Sequence, residues 1–261
     1  MLHKFQKLDF CATNQNWLRE RLNKTTDRSH DKKSFDYWDA NRIRTSPLTA
    51  YPKRCHLTEI WLNKNSPSAA LHIPVYNAFR KDRKVSKGGG LLLYIEEHIC
   101  KEVQCSVDNE LEHICLNISL SPQMSFSLIG VYRPPSAKAI FFDKLETVLK
   151  ECSSGQEILV MGDFNVNWED KGTSKALQRV SNKFDFTQLI KGPTRMTSSS
   201  QTQIDLIFTS KPERVTKSFN MVTGLSDHNL TLIARKLTKS CFHLKPYTKS
   251  SQLRIPKCDV D

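Results

Sequence analysis

Apolar and polar positions alternate in short blocks along this chain, and the sharpest block spans residues 157–168, E-I-L-V-M-G-D-F-N-V-N-W. Residues 158–161 are an unbroken apolar run closed by Gly162, the pattern of a strand buried on both faces. Asp163 and Asn165 follow, with Phe164 between them. Side chains alternate in an extended chain, so the carboxylate and the carboxamide point one way and the ring points back into the protein. A polar pair at the end of a buried strand stands where α/β sheets place their chemistry. The same pair also suits a plain strand-to-loop turn.

The remaining pattern divides the chain. Residues 1–55 are polar and weakly periodic, with a short helix predicted from Trp17 and no segment that reads as a buried strand. From His56 the character changes. H-L-T-E-I-W-L-N predicts a strand in which Glu59 sits among Leu57, Ile60, Trp61 and Leu62. A carboxylate in so apolar a run needs a partner or a metal if buried, because an unpaired buried charge is costly; on an edge strand it faces water. Residues 73–76 read as a turn or short extended piece, and residues 80–87 as a basic loop. Gly88, Gly89 and Gly90 form a turn before the strand L-L-L-Y-I-E, since their spacing fits no phosphate-binding loop. Residues 111–120 alternate as a half-buried strand. Residues 126–132 form a strand that Pro134 ends. Residues 139–152 carry apolar side chains at helical spacing, as do residues 174–184. A strand over 204–208 carries Asp205 between two apolar neighbours. G-L-S-D-H leads through a turn into a last strand, 230–234. The segment from Lys236 onward is basic, Ser-rich and expected to be loose.

Length and charge sharpen this picture. The chain has 261 residues, room for one large α/β domain with a sizeable core. Its formal net charge is +12, with the excess in residues 1–55 and 235–261 and a nearly neutral middle. Basic ends can neutralise phosphates of a polyanion or simply solvate a flank. No run approaches the roughly 20 apolar residues of a membrane span. The eight cysteines show no C-x-x-C spacing and read as reduced thiols of an intracellular protein. Neither a serine nucleophile elbow nor zinc-ligand spacing is present.

Polar residues thus recur at the ends of buried strands: Glu59, Tyr132, Asp163, Asn165, Asp205, Asp227 and His228. Carboxylates converging from separate strands suit a hard divalent cation. The segments L-T-E-I-W-L, G-G-G-L-L-L-Y-I, G-V-Y-R-P-P-S, L-V-M-G-D-F-N, G-P-T-R with I-D-L-I-F-T-S, and G-L-S-D-H-N-L resemble, in this order, the motif series of the endonuclease/exonuclease/phosphatase family. They are most similar to the apurinic-type endonuclease domain of non-LTR retrotransposons.

The resemblance implies an α/β four-layer sandwich, two mixed sheets face to face with helices outside. It implies a magnesium-dependent phosphodiesterase, with manganese as a substitute, that nicks one strand of DNA. By motif, Glu59 resembles the acidic metal ligand and Asp227 the acid at the metal-binding edge. Asp163 resembles the residue that positions or deprotonates water, and Asn165 its neighbour that donates to the phosphate. Asp205 resembles the partner that orients His228, and Tyr132 the tyrosine on the scissile phosphate. Arg133, Arg195, Lys81 and Arg83 are the cations expected to grip DNA phosphates. The domain is expected over residues 56–236, between a divergent basic segment, 1–55, and a basic flexible tail, 237–261. The chain is expected to act on DNA as a monomer, inside the cell and in the nucleus rather than the cytoplasm.

One family feature has no match in this reading: a buried strand ending in Asn well before the Glu motif. Asn41 is the nearest candidate, but no strand leads into it. The alternatives are an inactive nucleic-acid-binding remnant, in keeping with a chain that carries no reverse transcriptase, and a phosphatase of the same superfamily.

Overall fold

The computed structural model describes residues 8–14, 54–58, 60, 71–73, 76–83, 89–97, 100–104, 111–121, 124–152, 156–224 and 226–236. In chain order the strands are β1 (Leu8–Asn14), β2 (Arg54–Thr58), β3 (Tyr76–Lys81), β4 (Leu91–Glu96), β5 (Cys100–Gln104), β6 (Glu112–Ser121) and β7 (Met124–Tyr132). After helix α1 (Ile140–Cys152) come β8 (Glu157–Asp163), helix α2 (Lys175–Lys183), β9 (Thr187–Gln188), β10 (Arg195–Met196) and β11 (Gln201–Thr202). Strands β12 (Asp205–Thr209), β13 (Val215–Met221) and β14 (Leu230–Lys236) complete the series.

They form two six-stranded mixed sheets and a small hairpin. The first sheet has the order β13-β14-β1-β2-β4-β3, the second β5-β6-β7-β8-β12-β9, and β10 pairs with β11. One neighbouring pair in each large sheet is parallel, β1 with β2 and β7 with β8. The inner faces meet in a core that joins Leu91, Leu93 and Ile95 of β4 and Ile233 of β14 to Leu116, Leu128, Leu159 and Ile207 of the second sheet. This is the expected α/β sandwich.

Both helices described lie on the outer face of the second sheet. Phe141, Phe142, Leu145, Val148, Leu149 and Cys152 of α1 are buried at spacings of one helical face. They pack with Ile129, Val131, Val160 and Phe208. Asp143 in the first turn and Lys150 in the last complement the helix dipole. This cover corrects one expectation. Strand β6 is buried on both faces along its middle, through His113, Ile114, Cys115 and Leu116, because helix α1 covers the side expected to meet water.

The largest difference from expectation is β1. Leu8–Asn14 lies inside the first sheet, antiparallel to β14 (Leu8↔Lys236) and parallel to β2 (Asn14↔Leu57). A segment that reads as strandless supplies an interior strand, and that strand ends in Asn. Asn41 and the helix expected from Trp17 lie outside the described residues. Strands β3 and β13 also escape the sequence reading, which gives the ends of β3 to a turn and a basic loop and assigns no element to residues 215–221. Both are sheet edges, and their partly exposed side chains carry little apolar signal.

Two glycines mark close approaches. A Cβ on Gly162 would stand 1.8 Å from the Val131 carbonyl oxygen, so β8 can lie against β7 only with hydrogen at that position. A Cβ on Gly130 would come within 2.9 Å of the His56 ring. His56 of β2 therefore projects across the core onto β7. It is wholly buried, and neither ring nitrogen has a partner.

Burial without a partner disfavours the charged imidazole and lowers the His56 pKa from 6.5 to about 3. The unfolded chain therefore binds a proton that the folded chain refuses between those values. Stability is full above pH 6.5 and falls as pH drops toward 3, by about 1.4 kcal/mol per pH unit from this group alone. Urea unfolding between pH 8 and 5 should show that slope below pH 6.5, and His56→Leu should flatten it.

Candidate active site

Register brings the candidate residues together. Tyr132 of β7 aligns with Asp163 of β8, and Asp163 aligns with Asp205 of β12. Three residues far apart in sequence thus stand in one row at one edge of the second sheet. The first sheet delivers His228 to the same edge, two residues before β14 begins.

Asp163 is held from several directions. It is almost fully buried, at 1% exposure. Its Oδ1 accepts the Asn165 backbone N–H at 2.8 Å, and its Oδ2 accepts the Asn165 side-chain amide at 2.9 Å. That amide also donates to the Arg133 carbonyl at 2.8 Å. Asn165 reaches these partners from a left-handed backbone, φ 47°, which Asn tolerates better than most residues. Both of its amide hydrogens are used inside the protein. The expected donor to phosphate is therefore, in this structure, the group that orients Asp163.

Asp205 and His228 form a buried pair, with His228 Nδ1 donating to Asp205 Oδ2 at 2.8 Å. Burial alone would lower the imidazole pKa. The Asp205 hydrogen bond and charge oppose this, aided by Asp163 and Asp227, and the net direction is upward. Thr194 positions Asp205: its hydroxyl oxygen accepts the backbone N–H groups of Ile204 at 3.0 Å and Asp205 at 2.9 Å. The Gly-Pro-Thr turn is fixed in turn by Asn229, which donates to the Pro193 carbonyl at 3.1 Å, and by Asn220, which donates to it at 2.8 Å.

Oxygens of Asp163 and Asp205 and a nitrogen of His228 lie within 4.8 Å of one another, all three residues buried. The two carboxylates suit a hard divalent cation, which the imidazole joins only in its neutral form. Glu59, the expected acidic ligand, lies outside the described residues. Thr58 immediately before it ends β2, and Leu57 pairs with Asn14. The ends of β1 and β2 thus lie side by side.

Other expected residues have different surroundings. Asp227 stands apart from the three-residue group: its Oδ2 accepts from Arg195 Nε at 2.8 Å, with both side chains partly exposed. Burial raises its pKa, but the Arg195 hydrogen bond and the nearby His228 and Arg195 charges win and hold it below the usual carboxylate value. Arg133 is buried, not open to a phosphate. Its guanidinium lies 5.4 Å from the Phe142 ring centre and donates to the Ala137 carbonyl. Burial lowers its pKa, against the pull of Asp163. Arg83 donates to Glu112 Oε1 at 2.6 Å and stacks 5.4 Å over the ring of Tyr132, which is itself buried. Glu112 also accepts the Gly90 N–H at 2.7 Å, joining the two sheets beside Tyr132. Lys81 ends β3 and is half-buried.

Sequence reading missed Thr194, which positions Asp205, and Glu112, which ties the sheets beside Tyr132. Thr194 had a usable signal, since it lies inside the quoted G-P-T-R motif beside the chosen Arg195. Glu112 had none, because its partners, Arg83 and Gly90, come from the β3–β4 connection.

Residues 126–232 match a protein-family model described as endonuclease-reverse transcriptase. No curated protein matches the chain. Among solved structures, it is similar to the endonuclease domain of TRAS1, a telomere-specific non-LTR retrotransposon. The TM-score is 0.61 at 13% identity, over 88% of this chain and 100% of that one. An AP endonuclease from Archaeoglobus fulgidus gives 0.64 at 16% identity, over 87% and 99%. A 3'-5' exonuclease (NExo) from Neisseria meningitidis gives 0.62 at 17% identity, over 87% and 99%. At these identities the likeness establishes the fold, the α/β sandwich of endonuclease/exonuclease/phosphatase-type nucleases, in agreement with the resemblance read from the motifs.

The Asp205–His228 pair yields a direct test. In metal-free protein, His228 should titrate above the ordinary imidazole value by NMR, and Asp205→Asn should bring it down by a unit or more, roughly the value of a charged partner at hydrogen-bond distance.

Proposed function

We propose that this chain, with its endonuclease/exonuclease/phosphatase-type fold, is a divalent-cation-dependent endonuclease of retrotransposon type that nicks one strand of DNA. The observation that supports this reading is the buried convergence of Asp163, Asp205 and His228 from three segments onto one edge.

Phosphodiesters resist hydrolysis because water is a poor nucleophile and the phosphate repels it once deprotonated. Asp163, held by Asn165, is placed to take a proton from the attacking water. His228, whose charged form Asp205 favours through Nδ1, has its Nε2–H left to offer to the oxygens that gain charge as the fifth bond to phosphorus forms. The phosphorus bond to the 3'-oxygen then breaks, and that oxygen leaves as a 3'-hydroxyl. Glu59, with carboxylates of the Asp163 and Asp205 edge, would hold magnesium or manganese, and Asn14 stands at a strand end suited to support it. When bound, such an ion supplies charge neutralisation and polarisation of the phosphoryl oxygen. Asp227 acts through Arg195 and through its charge on His228. Of the four expected cations, Arg195, partly exposed beside Asp227, is the one placed to meet a flanking phosphate, a contact that positions the duplex without reading its sequence.

Supercoiled plasmid incubated with the full chain and magnesium should relax to the nicked circle, and a chelator should stop it. Asp163→Ala and His228→Ala should each lower the rate by about 100- to 1000-fold. Salt-sensitive DNA binding with no nicking, unchanged by either substitution, would establish the inactive binder instead.

A further inference from the structure

Away from the acidic edge, two thiols face each other. Cys115 lies midway along β6 and Cys152 ends α1, at 0% and 5% exposure. Their sulfurs stand 2.6 Å apart, close enough for one thiol to donate to the other. Joining them into a bond of roughly 2 Å needs only a small movement. The helix end is already anchored, because the Cys152 carbonyl accepts the Ser127 hydroxyl at 3.0 Å. Spacing gives no hint of the pair, since 37 residues separate the two cysteines.

The two sulfurs are unequal in access. Cys115 is sealed between the second sheet and α1, among Ile129, Leu149 and Ile158. Cys152 ends its helix and keeps 5% exposure against none for Cys115, and helix ends open more readily than sheet interiors. An oxidant therefore meets Cys152 first, and Cys115 resolves.

We propose that Cys115 and Cys152 form a reversible redox modification site, closed by exchange with a low-molecular-weight disulfide such as oxidised glutathione. The Cys152 thiolate attacks one sulfur of the oxidant, the oxidant's S–S bond breaks, and one glutathione leaves and takes up a proton. Cys115 then gives its proton to solvent and attacks the Cys152 sulfur, expelling the second glutathione. The protein loses two hydrogens and the oxidant gains them. The new bond fastens α1 to β6, over the same outer face that carries β7 and β8. It is independent of the nuclease reading.

The test uses the full chain, incubated with oxidised glutathione, digested without reductant and mapped by mass spectrometry. A linked Cys115–Cys152 peptide is expected, with a thermal midpoint raised by about 5 °C and restored by dithiothreitol. Cys115→Ala should retain a glutathione adduct on Cys152, whereas Cys152→Ala should leave Cys115 unmodified. Circular dichroism establishes that each variant is folded, and the wild-type map decides alone if one is not. Cys115 and Cys152 recovered separately, or linked mainly to other cysteines, would overturn the proposal.

Discussion

A carboxylate taken out of water must meet a cation or a hydrogen-bond donor, and this constraint closes the sandwich at both ends. At one end Asp205 of the second sheet meets His228 at the entry to the first. At the other, Glu157 of β8 meets Arg235 of β14, both side chains almost fully buried, with Arg214 adding a contact at 3.0 Å. Arg235 also lies 4.2 Å over the Phe126 ring. Strand β14 thus carries a pairing group near each end. Slipping it by one residue would reverse its faces, taking His228 from Asp205 and leaving Glu157 with Arg214 alone of its two cations. The alignment that places His228 is enforced by charges on both sides of the apolar core, not by that core alone.

This explains what the sequence made legible. Residues 157–168 carry their own evidence: an unbroken apolar run, a Gly where a Cβ would strike the neighbouring strand, then acid and amide in alternation. Asp205 stood out because it interrupts an apolar run. The α1 face could be read from its spacing. These signals are local, and the structure uses them locally.

The rest depends on neighbours that a linear reading does not supply. Strand β1 has a mixed composition, L-D-F-C-A-T-N, and its place inside the sheet comes from β2 and β14 on either side. Arg133 reads as a phosphate-gripping cation until the Phe141 and Phe142 rings and the Ala137 carbonyl are seen to receive it. Asn165 reads as a free donor until both its hydrogens are counted. Glu112 needs Arg83 and Gly90, which belong to the other sheet. In each case the residue type is legible and its job is assigned by a partner distant in sequence.

The position of β1 bears on how the molecule is made. Its two sheet partners are β2 and β14, the second and the last of the described strands. During synthesis, β1 and β2 can meet early, but the hydrogen-bonding edge of β1 that β14 will occupy stays open until the final strand emerges. Long-range closures of this kind are slow to form and leave an unpaired edge at risk of wrong association in the interim. Among the described strands, the first sheet contains the one made first and is closed by the one made last.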